Sequence, residues 1–425
     1  MPDGRATEHL YRPKLVTILH EGYGLAAARQ DALAGLTVAV VALPLSMAIA
    51  VASGVSPDRG LYAAIVGGFL VSALGGSRYQ IGGPAAAFIG LVSASVAALG
   101  VSGMLLAVLF SGVMLAILGA SRLGGLVRRL PHAVTVGFTA AIAITLAVSQ
   151  FKDLGGLVLR HGDPSALGPK ILALSAALPS LKPLAVALGL SVTVAIVLLR
   201  RWRPTWPGML IALVAASMVA ALPGVGVETI GSRFGDMPAG LSAPSWPPIS
   251  WPLALKVFPT ALAFTLLGAI ESLLSAKVAD GMTGRRHRAN MELVAQGAAN
   301  VVSALFGGIC VTGTIARTAT NIRAGARSPL AGMLHAVFLL AFLAVAAPAI
   351  RYVPLTALAG VLLGVAWNMV ERAELWRLLR QPRTALVLAA TVGVTLAWTL
   401  VAGIVAGCLV AAVLGAFGPR LASED

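Results

Sequence analysis

Two charged residues buried in otherwise lipid-soluble sequence are the ones whose types could do chemistry. Arg317 lies in GGICVTGTIARTATN, Gly307 to Asn321, and Glu271 lies in LGAIESLLSAK. A guanidinium near bilayer depth costs at least about 2.5 to 3.5 kcal/mol on the lenient insertion scales, so it requires a counter-ion, a cavity or a bound anion. An acid at that depth usually faces a cavity and serves an ion or proton pathway. Ser275 follows Glu271 by one helical turn on the same face, so hydroxyl and carboxylate could hold a cation together, or the carboxylate could take up and release a proton. Two plainer readings stand beside these. Glu271 could be an inner-edge carboxylate facing the cytoplasm, since Lys277 follows closely, and Arg317 could be a fixed counter-charge to Glu271 that touches no solute.

The elements that must position these groups are also legible. Gly307, Gly308 and Gly313 interrupt a normal spanning helix, and Thr314 to Asn321 can begin a new, short one. Such a half-helix aims its free backbone N–H groups and the positive end of its dipole at whatever precedes it. The first half of the chain holds a counterpart, RYQIGGPAAAFIGLV from Arg78 to Val92, in which Gly82 and Gly83 break the chain and Pro84 suits a first helical position. Two glycine-interrupted, short apolar segments at matching places in two halves point to an inverted-repeat transporter with its site near the midplane. The expected donors are backbone groups of Gly83, Ala85 and Ala86 (Pro84 offers only its carbonyl) and of Thr312, Gly313, Thr314 and Ile315. On the first span, Leu45, Ser46 and Ile49 follow Pro44 and could wall the pocket; Ser46 reads more simply as a helix-packing hydroxyl. The pattern selects for negative charge and says little about which anion.

Composition sets the class. Of 425 residues, 58% are hydrophobic and 11% charged, with a mean hydropathy of +0.90, against roughly 25% charged in a soluble domain. This is an all-α polytopic membrane protein, and the lipid bilayer is its first partner. The chain opens without a charged, apolar, small-residue cleavage pattern, so no removable signal peptide is expected. A net charge of +15 raises nucleic acid as a partner, but the cations sit in short clusters between apolar runs without a nucleic-acid motif. They follow the positive-inside rule instead. With both termini cytoplasmic, Arg122/Arg128/Arg129, Arg200/Arg201/Arg203, Lys277/Arg285/Arg286/Arg288 and Arg372/Arg377/Arg380/Arg383 all fall on the inner side. The two cysteines, Cys310 and Cys408, and six scattered histidines give no disulfide framework, metal spacing or cofactor site. No nucleophile–base set suggests an enzyme. His335, within an apolar span, reads as a packed, hydrogen-bonded residue.

Taken in order, the chain reads as a cytoplasmic arm (1–29), a first repeat (30–222), an extracytoplasmic linker rich in Pro, Gly and Trp (223–252), a second repeat (253–418) and a short cytoplasmic tail (419–425). Span 1 is expected from Asp31 to about Ser53 with Pro44 in its middle. The third and tenth segments are the half-helices after Pro84 and around Arg317. Lys152 to Ser180 fits an interfacial helix on the outside, and ERAELWRLLRQPR places Leu375, Trp376, Leu378 and Leu379 on one face of a cytoplasmic surface helix. Trp202 and Trp206 read as interfacial anchors.

AGLTVAVVALPLSMAIAVASGVSPDRGLYAAIVGGFLVSALGGSRYQIGGPAAAFIGLV resembles the signature of the SulP anion transporters (sulfate permeases, solute carrier family 26). IESLLSAKVADGMTGRRHRANMELVAQGAANVVSALFGG and the later GTIARTATNIRAGA resemble their spans 8 to 10. The resemblance covers almost the whole membrane region. It implies 14 transmembrane segments in two inverted repeats of seven (SulP/uracil-permease-like), a core domain of spans 1 to 4 and 8 to 11, a gate domain of spans 5 to 7 and 12 to 14, and an elevator-like cycle. It also implies a substrate site between half-helices 3 and 10, Glu271 as coupling acid, Arg317 as the span-10 arginine and Gly313, Thr314, Ile315 and Ala316 as the anion-facing turn. Many relatives carry Pro-Gln and an aromatic on span 1, where this chain has Leu45 and Ile49, so a side-chain amide to the anion is missing. The PLSMAIA version resembles bacterial members that move C4-dicarboxylates with protons, and the sodium-coupled bicarbonate relatives carry Asp where Glu271 stands. Most relatives continue into a cytoplasmic STAS domain, which would follow residue 425 here, and a homodimer is expected. The resulting expectation is a bacterial inner-membrane symporter of fumarate or succinate with H+. Sodium-coupled bicarbonate transport, proton-coupled sulfate transport and an uncoupled anion channel are the alternatives.

Overall fold

A computed structural model describes residues 11–416 apart from 126–130, 161, 165 and 204–205. Residues 1–10 of the expected arm, Arg128 and Arg129, and the expected tail at 419–425 lie outside the described residues. After α1 (Lys14–Glu21), the first half of the chain runs α2 (Leu25–Ala52), α3 (Pro57–Tyr62), a π turn (Ala63–Gly67), α4 (Gly68–Leu74), β1 (Gly82–Gly83), a 3-10 turn (Ala86–Phe88) and α5 (Ile89–Ala120). Then come α6 (His132–Gly155), α7 (Leu167–Ala177), α8 (Pro183–Trp202), α9 (Gly208–Ala220) and α10 (Ile230–Phe234). The second half holds α11 (Trp251–Thr283), α12 (Ala289–Leu305), β2 (Thr312–Gly313), α13 (Ile315–Arg323), α14 (Leu330–Ile350), α15 (Leu355–Met369), α16 (Arg372–Leu379), α17 (Pro382–Ala397) and α18 (Leu400–Ala416).

Among the described residues, six helical runs are long and apolar enough to cross a membrane: Leu25–Ala52, Ala86–Ala120, His132–Gly155, Pro183–Trp202, Trp251–Thr283 and Leu330–Ile350. The second is bent at Gly100, whose φ of 69° leaves the helical region, so its two arms correspond to the expected third and fourth segments. Helices α5, α11 and α12 pack on one another, and α14 packs on α2, while α15 packs on α6 and α8, and α17 on α18 and α6. Small residues make these approaches possible, since in lipid the association rests on close packing rather than on hydrophobic burial. Gly112 and Gly297 show the limit: a Cβ on either would lie 2.6 to 2.7 Å from the facing backbone.

Several boundaries differ from expectation, each for a local reason. Helix α2 starts at Leu25, so Asp31 lies inside it, fully buried. Its carboxylate accepts from Tyr23 Oη (2.7 Å), from the backbone N–H groups of Arg327 (2.6 Å) and Ser328 (3.2 Å), and from the Ser328 hydroxyl, fastening α2 to the turn after α13. Pro84 is not a first helical residue, because β1 keeps the chain extended through Ala85 (φ −115°, ψ 145°) and helical turns begin only at Ala86. The stretch expected as linker contains α10, closed by a reciprocal capping box between Thr229 and Ser232. On α16, Leu378 packs with Val134 and Val387, while Trp376 and Leu379 remain exposed, as suits a helix lying on a surface.

Candidate functional site

The site begins with β1 and β2. They pair antiparallel, Gly82 opposite Gly313 and Gly83 opposite Thr312, which brings the starts of the two half-helices together from opposite halves of the chain. The pairing continues past the strands: Thr314 donates to the Ile81 carbonyl from its backbone N–H (3.1 Å) and from its hydroxyl (3.2 Å). At two of these positions glycine makes room for a buried polar side chain. A Cβ on Gly313 would fall 1.7 Å from Gln80 Nε2, and one on Gly83 would fall 2.2 Å from Arg317 Nη1.

Neither half-helix start carries a side-chain cap. The Thr314 N–H is taken by Ile81, but the N–H groups of the first helical turns remain available, and the dipole ends add positive potential. Ile315 and Ala316, the opening turn of α13, are exposed, whereas Thr314 and Ala85 are buried and Ala86 is half-buried. Leu45 and Ile49 are buried in the apolar cluster that also contains Ala85, Ala87 and Phe88. Phe88 meets Phe264 of α11 with ring centroids 6.0 Å apart, tying the first half-helix to the helix that carries Glu271.

Arg317 is 1% exposed. Its Nη2 donates to Ser46 Oγ (3.1 Å) and to the Pro84 carbonyl (3.3 Å), while Nε and Nη1 are buried without a partner. No ion pair joins Arg317 to Glu271 or to any other acid among the described residues. The counter-charge reading is thus not what this conformation contains. The guanidinium instead bridges the first span and the opposite half-helix through neutral acceptors, with donor capacity in reserve. Ser46, expected as a packing hydroxyl, is the side chain that orients it.

Glu271 is half-buried, and no described residue gives it a hydrogen bond. Ser275, one turn on, is buried and lies 3.2 Å from Thr318 Oγ1, which also accepts from the Ile81 N–H at 3.1 Å. Ser272 accepts from Gln80 Nε2 at 2.9 Å. Helix α11 is therefore stitched to α13 and β1 by hydroxyls that flank the free carboxylate.

Sequence reasoning overlooked the residues that hold the strands. Asn300 donates to the Val311 carbonyl (2.8 Å) and accepts from the Val311 N–H (2.9 Å), acting as a third strand for β2. Glu292 accepts from the N–H groups of Gly76 (2.9 Å) and Ser77 (3.1 Å) and from Gln296 (3.1 Å), fixing the approach to β1. Glu292, Gln296 and Asn300 recur at four-residue spacing on one face of α12, a polar stripe in an apolar span that could have found them. His335 corrects an expectation: it is fully buried, but neither ring nitrogen has a hydrogen-bond partner. It sits near Gly68, where a Cβ would lie 4.0 Å from its Cε1.

Among the described residues no group of His, Cys, Asp and Glu could hold a metal ion. The sequence matches the sulfate permease family over residues 29–392. It is 40% identical to the putative sulfate transporter YvdB of Bacillus subtilis, across 92% of this chain and 74% of that protein. It is 31% identical to the bicarbonate transporter BicA of Picosynechococcus, across 91% and 70%. The fold superposes on the transmembrane domain of a cyanobacterial BicA with a TM-score of 0.80 at 29% identity, covering 90% of this chain and 98% of that one. On murine Slc26a9, solved in an inward-facing state, it reaches 0.86 at 16% identity over 98% and 73%, a likeness of fold alone. Sequence, fold and paired half-helices agree: this chain belongs to the sulfate permease family of membrane anion transporters.

Proposed function

We propose that the anion binds between the two half-helix starts, held by the backbone N–H groups around Ala85 and Ala86 on one side and of Ile315 and Ala316 on the other, with Thr314, whose own N–H is taken by the Ile81 carbonyl, as the residue that fixes that turn. The observation that carries this is the β1–β2 pairing, which sets two uncapped helix starts beside a buried guanidinium that has no acidic partner among the described residues. An anion there meets two dipole ends and the spare donors of Arg317, and it loses little on leaving water. Leu45 and Ile49 supply an apolar wall that suits a solute with a carbon backbone, so the substrate we favour is a C4-dicarboxylate such as fumarate or succinate. Glu271, open and unpaired, is the group that binds a proton on one side and releases it on the other, with Ser275 beside it. Likeness to YvdB and BicA keeps sulfate and bicarbonate as the second reading, with H+ or Na+ as the coupling ion.

The architecture that serves this function is 14 segments in two inverted repeats, 30–222 and 253–418, joined by 223–252. The α2–α5 and α11–α14 group would move as a core domain against a gate of α6–α9 and α15–α18 in an elevator-like cycle. The full protein would act as a homodimer in a bacterial inner membrane with both termini cytoplasmic. Proteoliposome uptake of labelled fumarate, succinate, sulfate and bicarbonate, with and without an inward pH or sodium gradient, tests the reading. Fumarate accumulation driven by pH and abolished in Glu271→Gln is expected. Full pH-driven accumulation by that variant would remove the coupling role, and uptake of only sulfate or bicarbonate would remove the dicarboxylate.

A further inference from the structure

A cavity of about 170 Å³ lies beside the 3-10 turn, between Ala86 and Ala87, the start of α5, the middle of α6, the first turn of α7 and the α17–α18 junction. It adjoins one wall of the proposed anion site and leads away from it toward α7. Among the described residues its lining is apolar apart from hydroxyl-bearing residues and one charged residue, Lys170. Lys170 is 8% exposed, and a lysine is rarely buried so far unless it is paired. Its partner is Asp163, at 2.9 Å from Nζ, but the same carboxylate also lies 3.7 Å from Lys152 Nζ. Two cations thus share the Asp163 carboxylate, so the pairing of Lys170 is divided. Thr395, another lining residue, has a buried hydroxyl with no hydrogen-bond partner. Low-dielectric walls beside a cation whose counter-ion is shared strengthen its attraction for a second anion.

We propose that this cavity is the anteroom of the anion path on the α7 side. Lys170 receives the incoming anion, and Asp163 is the carboxylate that the anion displaces from it. The proposal rests on the anion reading above, and on the α7 side being exterior. It assigns Lys170 to entry rather than to the central site, so its loss should weaken capture and leave turnover alone.

The test has one arm that needs transport and one that does not. In proteoliposomes at low ionic strength, with labelled fumarate, sulfate and bicarbonate as tracers, Lys170→Gln should raise KM about five- to tenfold, the share of one partly buried charge, with Vmax little changed. Lys170→Arg should restore KM, and Asp163→Asn should lower it. An unchanged KM, or a fall in Vmax that Lys170→Arg fails to restore, overturns the proposal. In the second arm, Ser149→Cys is placed in the cavity wall with Cys310 and Cys408 replaced by alanine. A negatively charged, membrane-impermeant methanethiosulfonate added outside should react faster than a positively charged one, and Lys170→Gln should erase that preference. Reaction only with an apolar, membrane-permeant thiol reagent would identify the cavity as a lipid-filled crevice and overturn the proposal. If the wild type carries none of the tracers, the substrate reading fails, and the thiol arm still decides the cavity.

Discussion

Replacing Arg317 by methionine separates a binding charge from a structural one. The guanidinium has two hydrogen bonds to neutral acceptors and no acidic partner among the described residues. Breaking a buried ion pair costs about 3 to 5 kcal/mol, because the other charge is stranded. Arg317→Met strands no charge; it forfeits two long hydrogen bonds and relieves the burial of an uncompensated cation. The substrate-free variant should therefore unfold within about 2 kcal/mol of wild type. Its anion affinity should fall much further. For an anion centred about 6 Å from the guanidinium, at an effective dielectric of about 20, the lost attraction is about 2.8 kcal/mol, or about a hundredfold in Kd. The assay is thermal unfolding in detergent with and without a transported anion, paired with isothermal titration. Wild type should be stabilised by the anion and Arg317→Met should not. Severe destabilisation of the substrate-free variant, with anion affinity intact, would refute the reasoning and return Arg317 to a structural role.

Gly313→Ala should weaken anion binding, since its Cβ would overlap Gln80 Nε2 at 1.7 Å and force that side chain off Ser272; adding Gln80→Ala should recover part of the loss in the same titration, and no recovery would place the damage elsewhere. Asn300→Ala leaves the Val311 N–H and carbonyl buried without their side-chain partner, at about 1 to 3 kcal/mol for each stranded group, so its melting temperature should drop clearly while Asn300→Ser, keeping one hydroxyl, drops less. At the docked helix α1, Lys14 is held down at about 8, mainly by burial and then by Arg288 and Arg78. The folded arm thus binds fewer protons than the free one between pH 8 and the ordinary lysine range, so docking should tighten as pH rises through that window, and the hydrogen-exchange protection factor at α1, with the base-catalysed intrinsic rate divided out, should rise. Lys14→Met should flatten that dependence.

The membrane class, both half-helices and the two charged residues were legible because each leaves a mark in one dimension. Long apolar runs, a Gly-Gly break and an arginine where lipid forbids one need no neighbour to be noticed. Helix ends were less legible: Asp31 reads as a start residue, yet it lies inside α2 because its carboxylate fastens a turn some three hundred residues away along the chain. Likewise Pro84 looked like a helix opener until the pairing of β1 with β2 held it extended.

What the sequence determined by itself was therefore a lipid-soluble chain, twice interrupted, with a cation that demands compensation. Only the tertiary structure decided how that cation is met. It brought Gly83 and Thr312 into register, gave Arg317 the Ser46 hydroxyl and the Pro84 carbonyl in place of Glu271, and left that acid free. The reason is that desolvation cost is a property of one residue and can be read locally, whereas compensation is a property of a pair. Which pair forms depends on how two distant halves of the chain pack.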